Sequence, residues 1–166
     1  MYLGLDLGTS SVKALIVDAY GTAVASQSVP LQVIRRKAGW SEQDPQSWWD
    51  ATNRAVRSLG AEYPEEMRKI TGIGLSGQMH GLTALDANDT VLRPAILWND
   101  TRSASQAMQL DTGHPAFRQL GGNAVMPGFT APKAVWIAEN EPELFQRLDT
   151  VLLPKDYLRL RMTGEK

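Results

Sequence analysis

Tyr2-Leu3-Gly4-Leu5-Asp6-Leu7-Gly8-Thr9-Ser10-Ser11-Val12-Lys13-Ala14-Leu15-Ile16-Val17 opens the chain and decides its fold. Leu3, Leu5 and Leu7 alternate with Gly4 and Asp6, the period-two pattern of a strand with one apolar face. Gly8 to Ser11 reads as a turn, and Val12 to Asp18 as a second strand rich in branched residues. After the turn Asp18-Ala19-Tyr20-Gly21, Thr22 to Val29 reads as a third strand. The chain therefore begins as an antiparallel meander.

Outward from the meander, Asp44-Pro45 marks a helix start: Asp accepts from exposed amides and Pro suits the first helical position. Trp48, Ala51, Thr52, Ala55, Val56 and Leu59 then share one face, and Gly60 is the expected stop. Ile70 to Ser76 reads as a strand. Leu82 to Leu85 and Thr90 to Trp98 read as a hairpin around Asp86-Ala87-Asn88-Asp89, a turn that shares Asp-Ala-x-x-Thr with Asp18 to Thr22. Helices are expected over Thr101 to Leu110 capped by Asp100, from Thr130 as cap to about Glu139, over Pro142 to Leu148, and over Asp156 to Met162 ending at Gly164. Val151 to Leu153 reads as a buried strand. Strands first and helices mostly later give an α/β class with a mixed sheet, not the strict alternation of a doubly wound fold.

Composition narrows the function classes. The 166 residues carry 17 Lys+Arg and 18 Asp+Glu, a net charge of -1, which gives no basic excess for nucleic acid and no handle on an anionic membrane. A hydrophobic share of 43% suits a folded core. Cysteine is absent and only His80 and His114 are present, which excludes thiolate chemistry and Cys-ligated metals and disfavours a multi-His site. No signal peptide or membrane-length apolar run is seen, and a reducing, cytoplasmic compartment is expected. No linker or low-complexity stretch marks an internal boundary, so residues 1–166 are expected to be one domain.

Several constellations could carry chemistry. Asp6 stands before Gly8, Thr9 and Ser10, with Lys13 after them. A turn with a glycine lets backbone amides converge on a phosphate, and a carboxylate beside it makes sense as a ligand to Mg²⁺ or its water. The plainer reading is a hairpin turn capped by Asp6, and spacing alone does not separate the two. The lysine-bearing Walker pattern is missing. Gly72-Ile73-Gly74-Leu75-Ser76-Gly77 matches G-x-G-x-x-G literally, but its glycines lie inside a strand rather than at a strand-to-helix turn, so dinucleotide binding is rejected. Gln78-Met79-His80-Gly81 is a candidate rim for a small polar ligand, against the commoner reading of His80 as structural. Trp98-Asn99-Asp100-Thr101-Arg102 offers an aromatic face and directed hydrogen bonds to a sugar, against Trp98 as core and Asp100 as helix cap. Met126-Pro127-Gly128-Phe129-Thr130-Ala131-Pro132-Lys133 reads as a turn into a helix. Trp48 and Trp49 read as packing residues.

Together and in this order, these pieces resemble a known family. Asp6 to Lys13 is similar to the first phosphate motif of the sugar-kinase, Hsp70 and actin superfamily. Gly77 to Gly81, Leu97 to Arg102, Gly128 to Lys133 and Leu153-Pro154-Lys155-Asp156-Tyr157-Leu158 resemble the FGGY carbohydrate kinases. Gly39-Trp40-Ser41-Glu42-Gln43-Asp44-Pro45 and Gly77 to Gly81 look most like the bacterial xylulose-kinase branch. The resemblance implies an actin-like, ribonuclease-H-like fold and transfer of the ATP γ-phosphate to the 5-hydroxyl of D-xylulose with Mg²⁺. It implies that residues 1–166 are the first of two domains, incomplete at the C-terminal end. By position, Asp6 belongs to the metal and phosphate site, with Gly8, Thr9, Ser10 and Lys13 on the phosphate side. Gln78, Met79, His80, Trp98, Asn99, Asp100, Arg102 and Phe129 fall on the sugar side. The catalytic base, the adenosine site and the second domain are expected beyond residue 166. Partners are then a sugar and ATP, with neither nucleic acid nor membrane, and a homodimer as the expected assembly. The rivals are a kinase for ribulose, gluconate or glycerol in the same family, and a non-catalytic actin-like nucleotide-binding scaffold.

Overall fold

The computed structural model describes all residues from 1 to 166. In chain order the elements are β1 (Tyr2–Leu7), β2 (Ser11–Val17), β3 (Ala23–Pro30), β4 (Glu42–Gln43), α1 (Pro45–Glu62), α2 (Pro64–Arg68), β5 (Gly72–Gly77), β6 (Thr83–Leu85), β7 (Ala95–Ile96), α3 (Ala104–Gly113), α4 (Ala116–Gly121), α5 (Thr130–Asn140), α6 (Pro142–Arg147), β8 (Thr150–Leu152) and α7 (Pro154–Thr163). They form two compact units, each discontinuous in sequence: Met1–Val33 with Asp44–Gln78 and Pro154–Lys166, and Ile34–Gln43 with Met79–Leu153.

The first unit is built on the predicted meander. Its sheet runs β3-β2-β1-β5, with β1 antiparallel to β2 and parallel to β5. Leu3, Leu5 and Leu7 are buried while Asp6 is exposed, as the alternation requires. The apolar face of the sheet meets Ala55 and Leu59 of α1 in one core with Ala14 and Ile16. Each fully buried Leu or Ile side chain contributes about 1.5–3 kcal/mol. Asp44 caps α1, its side chain accepting from the Gln46 amide.

Gly60 does not end α1. The helix continues to Glu62 and stops at Tyr63, because Pro64 disfavours helical geometry in the residue before it. A glycine inside a helix costs about 1 kcal/mol, which packing on the sheet offsets. The short helix α2 that follows was not foreseen. In α7, Tyr157 packs edge-on against Trp48, with centroids 6.2 Å apart, and the helix ends at Gly164 as expected.

The G-x-G-x-x-G stretch is β5 itself, so its glycines lie within a strand and not at a strand-to-helix turn. Gly77 has a packing reason: a Cβ there would lie 2.9 Å from the Leu7 carbonyl oxygen on the neighbouring strand.

The second unit is assembled from short strands and helices. β6 pairs antiparallel with β8, and β4 with β7. The expected Leu82 to Trp98 hairpin is only partly formed. The Asp86 turn closes and single bridges join Leu85 to Val91 and Leu82 to Ile96, but β7 is reduced to two residues. Pro94 has no amide to donate to a ladder, and β6 takes β8 as its main partner instead. β8 is half-buried rather than buried, with Val151 exposed.

The Asp18 and Asp86 turns share one geometry. Asp18 accepts from the amides of Tyr20 and Thr22, and Asp86 from those of Asn88 and Thr90. The Thr22 and Thr90 amides are the main cause holding these carboxyls below the usual range. Leu82, Ala84, Ile96 and Ile137 form the core of this unit, flanked by Trp136 and Leu144.

Candidate functional site

In the first unit, Asp6 sits one residue before the end of β1, opposite Lys13 on β2 and Ser76 on β5. The next turn closes on its own backbone, the Gly8 amide donating to the Ser11 carbonyl at 3.0 Å. Asp6 therefore does not cap this turn. Its exposed carboxylate lies at the strand end with no ion pair engaging it. Thr9 and Ser10 lie at the surface of the turn, and Lys13 points outward one strand away.

The Thr9 hydroxyl donates to Gln78 Oε1 at 3.2 Å, and Gln78 Nε2 donates to the Gly8 carbonyl at 3.4 Å. Gln78 was expected on the sugar side with Met79 and His80; here its side chain braces the Gly8–Thr9 turn. No group of three acidic or His residues converges. The donor set thus suits only a cation held by one carboxylate and otherwise by water and phosphate oxygens, the usual mode of Mg²⁺. Asp6 fits that role.

In the second unit, three separated segments meet. The His80 ring stacks on Phe129, centroids 4.7 Å apart and planes 28° from parallel. Gly128 lies against the Trp98 backbone so closely that a Cβ would come within 2.5 Å of the Trp98 carbonyl oxygen. Met79 and Trp98 present exposed side chains, 67% and 50%. The structure thus gathers Met79, His80, Trp98 and Phe129, four of the sugar-side candidates. Asn99 is exposed and borders a cavity of about 460 Å³ with Arg35, Arg36, Lys37 and Ser41.

Asp100 and Arg102 stand apart from these four. Asp100 was expected to cap α3, but α3 begins at Ala104, after Ser103, without a side-chain cap. The Asp100 carboxylate instead accepts from the amides of Ser41 (2.6 Å) and Arg102 (2.9 Å). Arg102 grips it with two further bonds, Nε to Oδ1 at 2.9 Å and Nη2 to Oδ2 at 2.7 Å. Arg102 Nη1 is 2.9 Å from Glu42 Oε1, close enough for an ion pair though poorly aligned for a hydrogen bond.

The Arg102 guanidinium lies 3.6 Å from the Trp40 ring centre and 5.0 Å from that of Trp136. Arg93 completes the group by pairing with Glu42 and with Glu141. The Asp100 and Arg102 side chains are 0% and 1% exposed. They form a buried ion-pair cluster, not an open rim. Sequence reading missed Trp40, Glu42 and Arg93: the first two fall in the Gly39 to Pro45 motif, Arg93 in none, and their meeting depends on the β4–β7 pairing.

Thr130 begins α5, with Phe129 as the preceding residue. Lys133 in its first turn is fully buried and donates to the carbonyls of His80 (2.6 Å) and Gly128 (2.5 Å). Burial lowers its pKa to about 8, with Asp100 opposing and Arg102 adding to the drop. The unfolded chain then holds a proton that the folded chain has lost between pH 8 and about 10.5, so this lysine adds stability as pH rises through that window. Unfolding free energies from pH 7.5 to 10.5 should show a rise of up to about 3 kcal/mol in the native sequence relative to Lys133→Met. Parallel curves for the two proteins would overturn the assignment.

With this geometry in place, comparison with known proteins is informative. Residues 1–166 match the N-terminal domain of the FGGY family of carbohydrate kinases. The chain belongs to that family. It is 53% identical over 165 residues to the xylulose kinase of Escherichia coli K12, covering 99% of this chain and 34% of that protein. The structure superposes on the xyloylose kinase of Brucella ovis with a TM-score of 0.96 at 60% identity, over 99% of this chain and 34% of that one. It also matches a gluconate kinase from Lactobacillus acidophilus, with a TM-score of 0.91 at 28% identity, over 99% and 33%. The chain spans about a third of the length of the relatives it matches. The actin-like α/β fold that the resemblance implied is the fold of these relatives. No helix is long and apolar enough to cross a membrane.

Proposed function

We propose that this chain is the phosphate- and sugar-binding N-terminal part of an ATP-dependent kinase that phosphorylates D-xylulose to D-xylulose 5-phosphate. The observation that carries the reading is the His80–Phe129 stack beside exposed Met79 and Trp98, in a chain more than half identical to a xylulose kinase. Trp98 and Phe129 supply apolar walls for sugar C–H groups, and His80 a directed hydrogen bond to a hydroxyl. In the other unit, Gly8, Thr9 and Ser10 offer amides and hydroxyls to phosphate oxygens, with Lys13 a nearby cation. Asp6 holds Mg²⁺, which when bound neutralises charge on the transferring phosphoryl group. The base for the sugar hydroxyl is assigned to chain beyond residue 166, and no carboxylate here takes its place. The reading carries a cytoplasmic enzyme without nucleic-acid or membrane partners, working as a homodimer.

Replacing His80 by Ala in the intact protein should weaken D-xylulose binding several-fold to about tenfold, the scale of one lost neutral hydrogen bond. ATP affinity should stay unchanged. Titrating both ligands on wild type and variant checks this, and unchanged xylulose affinity would sink the pocket assignment. One observation favours a second reading. The cavity bordered by Asn99, Arg35, Arg36 and Lys37 is basic, which suits a sugar acid such as gluconate. Gluconate belongs in the same titration, and tighter binding of it than of xylulose would decide for that reading.

A further inference from the structure

His80 adopts φ +63°, the left-handed region in which a residue with a Cβ persists only when its surroundings hold it there. Its neighbours supply the hold. The His80 carbonyl accepts from the Thr130 hydroxyl at 3.2 Å and from Lys133 Nζ at 2.6 Å. Both donors stand in the first turn of α5. Lys133 also donates to the Gly128 carbonyl, next to Phe129, on whose ring the imidazole rests. One buried ammonium thus ties together the two loops that carry the stacked pair. Ser103 adds a third tie, its hydroxyl donating to the Pro127 carbonyl at 3.0 Å.

We propose that Thr130 and Lys133 are positioning residues for the sugar site: they clamp the His80 carbonyl, hold the residue in its left-handed conformation, and so aim its imidazole across Phe129. The inference rests on the reading of His80 and Phe129 as sugar-facing. It gives the Gly128-Phe129-Thr130-Ala131-Pro132-Lys133 motif a purpose that helix initiation alone does not. Helix initiation needs neither a hydroxyl at Thr130 nor a buried cation, and neither side chain caps α5. The clamp does not depend on the charge of Lys133, because a neutral amine keeps two N–H groups, one for each carbonyl. The charge strengthens both bonds. Neither residue has to touch the sugar, so each acts through His80.

The test uses the intact protein carrying Lys133→Met, Thr130→Val and Thr130→Ser. Lys133→Met keeps length and loses every donor, and Thr130→Val keeps shape and loses the hydroxyl. We expect KM for D-xylulose to rise about fivefold to tenfold in Lys133→Met and about twofold to fivefold in Thr130→Val, with kcat within about twofold and KM for ATP unchanged. Thr130→Ser restores the hydroxyl and should restore KM. The second readout is the proton resonances of the His80 ring, identified by their loss in His80→Ala. In Thr130→Val they should move in the direction seen in Phe129→Leu, as the stack loosens. If Lys133→Met fails to fold, the Thr130 pair alone decides. A His80 spectrum identical in Thr130→Val and wild type overturns the clamp whatever the kinetics show. Shifted resonances with an unchanged KM, together with an unaffected His80→Ala, would leave the clamp standing and remove the sugar reading instead.

Discussion

Replacing Arg102 by methionine is expected to destabilise the intact protein by about 3–5 kcal/mol, the scale seen when one partner is removed from a buried ion pair. The argument is about what is left behind. Asp100 and Glu42 have side chains 0% and 3% exposed. With Arg102 gone, Asp100 keeps two amide donors but loses both guanidinium bonds, and Glu42 keeps only Arg93. Methionine fills much of the volume beside Trp40 and Trp136, so the loss reads the charges more than a cavity. Arg102→Lys should recover only a minor part. An ammonium cannot make the two parallel bonds to Asp100, nor lie flat against Trp40 as the guanidinium does at 3.6 Å. Pairing Arg102→Met with Asp100→Asn removes one stranded charge and should return a measurable share of the loss. Urea unfolding followed by tryptophan fluorescence reports the midpoints. A loss under about 1 kcal/mol for Arg102→Met would mean that the cluster is wet and weakly coupled.

That cluster also shows where sequence reading reached its limit. Trp98-Asn99-Asp100-Thr101-Arg102 was legible as polar residues around an aromatic, but not which of them face solvent. The answer depends on β4, a two-residue strand too short to leave a periodic signal, which brings Glu42 beneath Arg102. Local patterns fared better. Alternation in β1 and β2 gave the sheet and its buried face, and Asp44-Pro45 gave the start of α1. The stop at Gly60 failed because a glycine permits a helix end without enforcing one, whereas Pro64 enforces it. The Gln78 side chain turned from the expected sugar side to the Gly8–Thr9 turn because β5 ends beside β1, a parallel pairing between strands some seventy residues apart. Long-range pairing of that kind is invisible to a period-two pattern. What the sequence did carry was the set of residue types: the exposed side chains at Asp6, Met79 and Trp98 are among those it singled out.

Asp6→Asn is expected to lower kcat by a factor on the order of 10² or more, roughly 3 kcal/mol of transition-state stabilisation, with little change in KM for the sugar. The structure removes the competing explanation for such a loss. If Asp6 capped the turn, its replacement would loosen Gly8 to Ser11 and act through folding. The turn is closed by the Gly8 amide on the Ser11 carbonyl and braced by Gln78 on Thr9 and Gly8, without Asp6. The Asp6 side chain is exposed, and asparagine is of equal size, so the melting temperature should move by no more than about 1 °C, as for an ordinary surface change. What the substitution takes away is one negative charge at a strand end. A carboxylate there is useful beside phosphates only if it grips a cation, and an amide oxygen grips Mg²⁺ far less well. The variant should therefore need more Mg²⁺ to reach half its maximal rate, while xylulose binding measured without nucleotide stays as in wild type. Steady-state kinetics of the intact protein across a Mg²⁺ series, beside its melting curve, separate the possibilities. A near-normal kcat at every Mg²⁺ concentration would strip Asp6 of the metal role. A kcat loss accompanied by a large fall in melting temperature would return it to the turn.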